Sequence, residues 1–382
     1  MLSSFLMDRI PELPEILKDK KVCLVTDWLT NLGGGERVLK AIADLFPLAP
    51  IFTTVVDREN IGDFAKRDIR TSFLQNVPVL HRKQQYLLPL LPRAIESLDV
   101  SEYDVVLSFS SFGAKSVKTG EHQKHICYLH TPVRYAWEPD FDPRVKSLPF
   151  FMRPMVKRSL ETIKKWDYDT RHRPDLYIAN SSTTKERVKQ YYDMDVISLY
   201  PPVEAHDFFL ADKKDFYLAA GRMVPYKKFE LIAKTFARMR AKSLVIIGDG
   251  PEARYIRALS IKCPNINVLG YTQRANLARY MAEAKAFILP QKEDAGIIQL
   301  EAMASGTPVV AYKAGGALDV VQQDVNGVFF EEQTEESLMN AIFEFDKKTF
   351  DPVRIRETAL PHDTKKFQGQ YLTIVEEELK RL

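Results

Sequence analysis

Short apolar runs alternate with longer amphipathic stretches along almost the whole chain. The apolar runs lack polar alternation and therefore predict strands that are buried on both faces. These predicted strands are residues 21–26, 103–109, 125–129 and 176–179 in the first half, and 216–220, 244–247, 267–269, 286–289 and 308–311 in the second. The amphipathic stretches predict helices, among them residues 35–46, 229–240, 274–284, 297–305 and 364–382. Strands that alternate with helices predict an α/β protein with parallel sheets covered on both faces.

The length of the chain and one stiff segment predict two domains. A chain of 382 residues is too long for a single ordinary core. The proline-containing segment Tyr200-Pro201-Pro202-Val203-Glu204 lies midway, between the two sets of predicted strands. We therefore expect one domain over residues 1–203 and a second domain over residues 204–363.

The composition is that of a globular protein without a strongly charged partner. Apolar residues make up 45% and charged residues 27%, and the formal net charge of +3 argues against bulk nucleic-acid binding. The cysteines Cys23, Cys127 and Cys263 form no CxxC pair, which is typical of a reducing cytosol. No apolar run is long enough to span a membrane, and charged residues and prolines interrupt any signal peptide near the N-terminus. We expect a cytoplasmic protein.

One segment of the second half carries two acids on either side of a predicted helix start. Glu293 lies in the loop after the predicted strand 286–289, and Glu301 lies just over one turn inside the helix that follows. The backbone amides near Gly296 and Ile297 form the N-terminus of that helix, which is a favourable site for phosphate. Because carboxylates accept hydrogen bonds from hydroxyls, the segment suits a sugar nucleotide, whose pyrophosphate lies between two polyols. The alternative is a solvated acidic loop before an ordinary amphipathic helix.

Two further loops follow predicted strands and offer groups for an anion. Arg222 and Lys227 both follow the strand 216–220, so they can point into the crevice at its carboxyl end, where α/β sheets bind ligands. Two fixed cations suit a pyrophosphate and stabilise the charge on a departing diphosphate, although a basic, solvated turn is the alternative. The three glycines at 33–35 let the backbone pass close to a ligand, but a plain tight turn is equally compatible with them.

Several motifs together resemble a known family. Four of them appear in order in the second half: GR(x4)K at 221–227, GDGP at 248–251, E(x7)E at 293–301 and SGTPVVA at 305–311. With the early glycine-rich loop they resemble the family-4 retaining glycosyltransferases of the GT-B fold. Shorter motifs resemble the mannosyltransferases of bacterial O-antigen and exopolysaccharide assembly: His130-Thr131-Pro132, Tyr135-Ala136-Trp137, Ala179-Asn180-Ser181 and Ala314-Gly315-Gly316-Ala317.

The resemblance implies a fold, a reaction and a set of partners. The fold would be two Rossmann-like domains facing across a cleft, with the nucleotide sugar mostly on the second domain and the helix 364–382 packed back onto the first. The reaction would move a hexose, with retention, from a nucleotide sugar (GDP-mannose is favoured) to a saccharide or lipid-linked saccharide in surface polysaccharide synthesis. No metal or other cofactor would be needed, because cations and helix dipoles would hold the diphosphate.

The resemblance also implies roles for individual residues. Arg222 and Lys227 would bind the diphosphate. Glu301 would hold the ribose hydroxyls, and Glu293 would hold the hydroxyls of the donor sugar. His130 would face the donor sugar near the reacting carbon. The further positions expected at the nucleotide sugar are Gly34, Gly35, Gly270, Tyr271, Ala295, Gly296 and Ile297.

The chain departs from the family pattern in two places, and other functions stay open. The family usually has a phenylalanine where Ala295 stands, and Gln299-Leu300 replaces a small or proline-containing pair. A nucleotide-sugar epimerase or a phosphorylase would share the architecture, and the missing bulk at Ala295 also allows a non-catalytic sugar-nucleotide binder. The complete set of two cations and two acids favours the transferase.

No metal site is expected from the sequence. Asp193 and Asp195 form a DxD motif, but they lie in a predicted loop before a strand, where a solvated turn is favoured. His122 and His125 have the spacing of metal ligands, yet no acid or third ligand lies beside them in sequence. We therefore expect both histidines at the surface.

A basic stretch with aromatic residues lies in the first domain. Residues 144–173 carry nine Lys or Arg against three acids, with Phe150, Phe151, Trp166 and Tyr168 among them. Such a stretch suits contact with an anionic membrane face, here the inner face of the cell membrane, and with a lipid-linked acceptor. An ordinary helix pair whose aromatic residues pack inward is the equally favoured alternative.

Overall fold

The chain forms two compact units. A computed structural model describes residues 11–77, 89–138 and 153–381. The first unit is made of Met1–Tyr200 with Phe367–Leu382, and the second is made of Pro201–Lys366. The second unit is therefore inserted into the first in sequence. The assignment of the first unit to the acceptor and of the second to the nucleotide sugar stays a prediction.

The first unit contains a seven-stranded sheet in which every strand pair is parallel. Its strands are β1 Val22–Thr26, β2 Ile51–Thr53, β3 Ile69–Thr71, β4 Val105–Ser110, β5 Lys124–Leu129, β6 Leu176–Ala179 and β7 Ile197–Ser198. Their order across the sheet is β3-β2-β1-β4-β5-β6-β7. The inner strand β1 is buried at every position, as expected for a parallel sheet with both faces covered.

The C-terminal helix packs on this first unit. The helices of the unit are Glu15–Lys18, Gly34–Ala43, Leu91–Glu96, Arg134–Trp137, Arg153–Asp169 and Ser182–Tyr192, and Thr364–Leu379 ends the chain. Phe367, Tyr371 and Val375 of the last helix lie in the same apolar core as Leu24 of β1. The side-chain amide of Gln368 also donates to the carbonyl of Ala41 at 2.6 Å.

The second unit contains a six-stranded parallel sheet. Its strands are β8 Phe216–Ala220, β9 Ser243–Ile247, β10 Ile266–Gly270, β11 Ala286–Leu289, β12 Val309–Tyr312 and β13 Gly327–Phe330, in the order β10-β9-β8-β11-β12-β13. Its helices are Phe229–Arg238, Ala253–Ser260, Arg274–Glu283, Ile297–Ala304, Ala317–Val320, Glu335–Asp346 and Pro352–Ala359.

Each sheet reverses its strand order once, and these reversals position the candidate sites. The reversal lies between β1 and β4 in the first unit and between β8 and β11 in the second. Loops that leave the carboxyl ends of such a strand pair open a crevice, and α/β sheets bind their ligands there. The loop after β8 carries the two predicted cations, and the loop after β11 with the helix that follows it carries the two predicted acids.

The predicted α/β architecture is confirmed, and each strand predicted in the opening pattern lies within two residues of an observed one. The strands β2, β3 and β13, which are three or four residues long, were not predicted. The expectation for His125 was wrong. His125 is not at the surface: it lies on β5, is fully buried and shares a hydrogen bond of 2.7 Å with the hydroxyl of Ser108. Burial lowers its pKa to about 3.

Candidate functional site

An ion pair joins the loops after β8 and β11. The ammonium of Lys227 lies 3.0 Å from a carboxylate oxygen of Glu293, and the side-chain amide of Gln291 donates to the same oxygen at 3.0 Å. Both partners are largely buried, with side chains 17% and 19% exposed. Burial lowers the pKa of Lys227, but the Glu293 carboxylate outweighs burial and raises it above its ordinary value. Lys227 is therefore a cation throughout the neutral pH range.

Arg222 begins the same loop, and its environment differs from that of Lys227. Its side chain is exposed, and among the described residues none forms an ion pair with it. The neighbouring GDGP turn fixes the loop by very close backbone contact. A Cβ atom on Gly248 would lie 1.9 Å from the carbonyl oxygen of Gly221, and one on Gly250 would lie 2.5 Å from that of Met223. Only glycine fits at these two positions.

A second pair of glycines fixes the loop that carries Glu293. The amide of Gly316 donates to the carbonyl of Glu293 at 2.9 Å, and Gly315 forms an isolated parallel bridge with Glu293. A Cβ atom on Gly316 would lie 2.3 Å from the carbonyl oxygen of Ala295. Ala295 itself is buried, and its carbonyl accepts from the side-chain amide of Gln299 at 2.8 Å. The AGGA motif thus shapes the Glu293 loop, a role that the sequence did not reveal.

The helix after this loop begins at the predicted place. Gly296 is its N-cap residue with a φ of 82°, and the helix runs over Ile297–Ala304. Since glycine has no side chain with which to cap the first turn, the backbone amides at this end suit an anion. The structure thus brings together Lys227, Glu293, Gly296 and Ile297 around the loop after β11.

Glu301 lies deeper than expected and has a strong partner. The predicted amphipathic helix is wrong in this part, because residues 299–304 are buried on every side. The Glu301 side chain is 3% exposed, and the guanidinium of Arg274 donates to its Oε1 atom at 3.1 Å. The same guanidinium donates to Asp207 at 2.7 Å and to Glu204 at 2.9 Å. Sequence reasoning missed Arg274 as the partner of Glu301, and it missed the two acids that share the guanidinium, because charges far apart in a chain leave no local pattern.

Gly270 and Tyr271 lie at the end of β10, on the same edge of the sheet as the loops after β8 and β11. Gly270 has a φ of 75°, and its carbonyl accepts from the amide of Gly248 at 2.8 Å. The Tyr271 side chain is 83% exposed. β9 separates β10 from β8 in the sheet, so this pair lies two strands further from the point of strand-order reversal than the loop after β8 does.

The candidate residues of the first unit lie beside one another. Gly34 and Gly35 open the helix Gly34–Ala43, and a Cβ atom on Gly35 would lie 3.3 Å from the Nε2 atom of His130. His130 follows β5, and burial lowers its pKa to about 4, so its imidazole is neutral above that pH. The hydroxyl of Thr184 donates to the His130 carbonyl at 3.0 Å and fixes the backbone there.

Asp27 is a further residue of this region to which the sequence gave no role. It follows β1, and its carboxylate accepts hydrogen bonds from four successive amides, those of residues 111–114, at 2.6 to 2.8 Å. These amides follow β4, so Asp27 ties together the two loops at the point where the strand order of the first sheet reverses. The arrangement fixes the strand end that leads to the glycine-rich loop.

The basic stretch of the first unit is described only in part. Residues 144–152, with Phe150 and Phe151, lie outside the described residues. In the helix Arg153–Asp169, Leu160 and Ile163 are buried, and the basic side chains are exposed. The indole of Trp166 donates to Glu96 at 2.9 Å, so this aromatic residue packs inward.

The described residues contain neither a candidate membrane span nor a candidate metal cluster. Over the described ranges, no helix combines the length and the apolar character that crossing a membrane requires. The same ranges contain no group of three or more His, Cys, Asp or Glu side chains placed to hold a metal ion. Asp193 and Asp195 are both highly exposed, and Lys189 pairs with Asp195 at 3.0 Å.

Comparison with known proteins assigns both halves of the chain to families. Residues 32–205 match the family model described as Glycosyltransferase Family 4, and residues 204–359 match the model described as Glycosyl transferases group 1. The chain is 32% identical over 116 residues to sulfoquinovosyl transferase SQD2 of Arabidopsis thaliana, which is 30% of this chain and 22% of that protein. It is 32% identical over 112 residues to a GDP-mannose-dependent alpha-mannosyltransferase of Corynebacterium glutamicum, which is 29% of this chain and 26% of that protein. The chain thus matches only about a quarter of the length of these two relatives.

Solved structures show the same fold over nearly the whole chain. The lipopolysaccharide outer core galactosyltransferase WaaB has a TM-score of 0.67 at 15% identity, over 94% of this chain and 99% of that one. HepE of Anabaena, solved in complex with UDP, has a TM-score of 0.67 at 16% identity, over 93% of this chain and all of that one. At such identities the likeness concerns the fold. The chain contains two parallel Rossmann-like sheets, and the two glycosyltransferase family models match successive parts of its sequence. The chain therefore belongs to the family-4 glycosyltransferases of the GT-B fold.

Proposed function

We propose that this protein is a retaining glycosyltransferase that moves mannose from GDP-mannose to a saccharide or lipid-linked saccharide in surface polysaccharide synthesis. The observation that supports it most is the contact of Lys227 with Glu293 at the point of strand-order reversal. There, a cation for a diphosphate and a carboxylate for sugar hydroxyls lie beside a helix N-terminus. The relative from Corynebacterium glutamicum is named for GDP-mannose, which favours that donor.

In the proposed mechanism, fixed charges stabilise the departing diphosphate. Arg222, Lys227 and the amides at Gly296 would bind its oxygens, and they would bind them more strongly as negative charge grows in the transition state. A diphosphate that binds Lys227 competes with Glu293 for the ammonium. Glu293 would then accept hydrogen bonds from the hydroxyls of the donor sugar.

Retention would follow from attack on the face that the diphosphate leaves. Neither Glu293 nor Glu301 is assigned as a nucleophile, because hydroxyl binding accounts for both. An oxygen of the leaving diphosphate would take the proton of the attacking acceptor hydroxyl. The neutral imidazole of His130 would meet the donor sugar near the reacting carbon as a hydrogen-bond partner without a charge.

A donor panel tests the proposal. Thermal shifts with GDP-, UDP-, ADP- and dTDP-sugars should be largest for GDP-mannose. Product analysis with labelled GDP-mannose should show sugar transfer that depends on acceptor, and this transfer should persist in excess EDTA because fixed cations hold the diphosphate. An epimerised or phosphorolysed product, or binding without turnover, would contradict the transferase. An absolute need for Mg²⁺ or Mn²⁺, restored on adding the ion back, would contradict the role of the fixed cations.

We also propose that the exposed basic face of the helix Arg153–Asp169 contacts an anionic membrane surface and brings the enzyme to a lipid-linked acceptor at the inner face of the cell membrane. Each basic residue near such a surface contributes roughly 1 kcal/mol. Co-sedimentation with anionic vesicles should therefore be weak and should disappear at high salt. Replacing Lys157, Arg158, Lys164 and Lys165 by glutamine should abolish it. Equal binding to neutral and anionic vesicles at low salt would leave the helix as an ordinary solvated one.

A further inference from the structure

One arginine of the second unit holds three carboxylates at once. Arg274 is the first residue of the helix Arg274–Glu283. Its Nη1 atom donates to Glu301 at 3.1 Å, its Nη2 atom to Glu204 at 2.9 Å and its Nε atom to Asp207 at 2.7 Å. Each of the three guanidinium nitrogens therefore serves a different carboxylate.

This geometry requires arginine. A guanidinium presents its donors in a rigid planar fork, whereas an ammonium is a point charge on a flexible stem. Burial lowers the pKa of Arg274, but Glu301, Asp207 and Glu204 outweigh burial and raise it. Arg274 is thus always charged, and it keeps three acids together that would otherwise repel one another. Of the three, Glu301 is the most deeply buried and depends most on that charge.

Two of the acids in turn fix Arg274 itself. Glu204 and Asp207 lie near the start of the second unit. There, Val203 forms an isolated parallel bridge with Asp363, which lies near the end of the same unit. The amide of Val203 donates to the carbonyl of His362 at 2.9 Å, and the amide of Thr364 donates to the carbonyl of Val203 at 3.1 Å. The guanidinium also lies 5.2 Å from the ring centre of Phe208. Acids at the beginning of the second unit therefore hold Arg274, which lies about 70 residues further along the chain.

We propose that Arg274 is a positioning residue for the nucleoside: by holding Oε1 of Glu301, it fixes the carboxylate in the orientation that receives the ribose hydroxyls and so sets the preference for ribonucleotides. The proposal rests on the proposed function, because it takes Glu301 as the acceptor for the ribose diol. A buried carboxylate whose oxygen accepts a hydrogen bond from a fixed guanidinium is held in one orientation, whereas one without that donor can rotate.

The test compares binding of GDP and 2′,3′-dideoxy-GDP, which differ only in the ribose hydroxyls. The wild-type protein should prefer GDP on the order of tenfold, as expected for a hydrogen bond to a charged group. Arg274→Met should bring the ratio of the two dissociation constants close to one, and Arg274→Lys should restore only part of it. Arg279→Met, an exposed arginine of the same helix, should leave the ratio unchanged.

The outcomes separate the two proposals. If Arg274→Met melts as a folded protein and keeps the wild-type ratio, Arg274 is only a structural residue and the inference is overturned. If wild type and Glu301→Gln both bind the two nucleotides equally, the ribose role of Glu301 is wrong and the inference falls with it. If Arg274→Met fails to fold, the double variant Glu204→Gln/Asp207→Asn tests the inference, because it keeps the guanidinium but removes two of the charges that hold it. This variant should lower the ratio of the two dissociation constants by a smaller factor. An unchanged ratio overturns the inference.

Discussion

Glu293 and Glu301 are the same residue type eight positions apart, yet they differ in burial and in the way their ion-pair partners are held. Glu293 lies in a loop, is 19% exposed and pairs with the ammonium of one lysine. Glu301 lies in a helix, is 3% exposed and pairs with an arginine that two further acids hold in place. The difference suggests that the first glutamate can exchange its partner for a ligand group, whereas the second offers a fixed surface.

The energetics of the two pairs differ accordingly. Lys227 and Glu293 both keep a small exposed fraction, so water or a ligand group can take the place of a partner that is removed. The Glu301 carboxylate is almost fully buried, so removal of Arg274 leaves a charge without compensation, at a cost of about 3–5 kcal/mol. We therefore expect substitutions at the first pair to change ligand binding, and substitutions at the second pair to change both binding and stability.

The largest effect on turnover is expected from removing either cation of the proposed diphosphate site. Arg222→Ala and Lys227→Ala should each lower turnover about a hundredfold or more, since each removes a group that stabilises the leaving charge. Lys227→Ala should cost more than Arg222→Ala, because it also leaves the Glu293 carboxylate without its ammonium beside the phosphates. Steady-state transfer from GDP-mannose measures both.

The control for these variants is Lys228→Asn, which removes the adjacent charge while asparagine tolerates the φ of 55° found there. It should transfer at nearly the wild-type rate. Near-wild-type transfer by a folded Arg222→Ala or Lys227→Ala protein would contradict the assignment of the diphosphate site. Adding Glu293→Gln to Lys227→Ala should recover part of the lost nucleotide affinity.

A smaller effect is expected at the second pair. Glu301→Gln should weaken GDP and GDP-mannose alike, on the order of tenfold, because both carry the ribose. It should also lower the melting temperature, since Arg274 loses one of its three carboxylates. Calorimetric binding and thermal unfolding measure the two effects. Glu357→Gln, an exposed helix residue of the same unit, should change neither. Loss of affinity for one ligand alone would contradict the ribose role.

The smallest effect is expected from releasing Lys227. Glu293→Gln should tighten GDP binding by about two- to fivefold, because the Lys227 ammonium then binds the diphosphate without first breaking an ion pair. Transfer of mannose should fall all the same, since the sugar hydroxyls lose a charged acceptor. Isothermal titration with GDP and product formation at saturating donor report the two separately. Weaker GDP binding together with intact transfer would show that the roles of the two acids are wrong.

Local patterns in the sequence predicted the parts of the fold and site that are local. The apolar runs located β8 and β11, and the glycine before Ile297 located the helix start, because each depends on neighbours in the chain. The pairing of Lys227 with Glu293 was within reach, since both residues were placed at strand ends that such sheets bring together.

Local sequence patterns could not predict the ion pairs that hold Glu301 in place. Arg274 meets Glu204 and Asp207 across about 70 residues of chain, and no periodicity records that encounter. The burial of His125 was missed for a related reason, because a single polar residue in a central strand resembles one at a surface until the covering helices are in place.

The hydrogen bonds between Val203 and residues 362–364 have a consequence for how such a protein can be assembled from parts. They place the two termini of the inserted unit next to each other. A domain with adjacent termini can replace the corresponding domain of a related protein through two peptide junctions and with little strain at either, as domain insertions generally require. If the second unit holds the nucleotide sugar, as we propose, exchange of this one segment, Pro201–Lys366, would change the donor while the host kept its own acceptor.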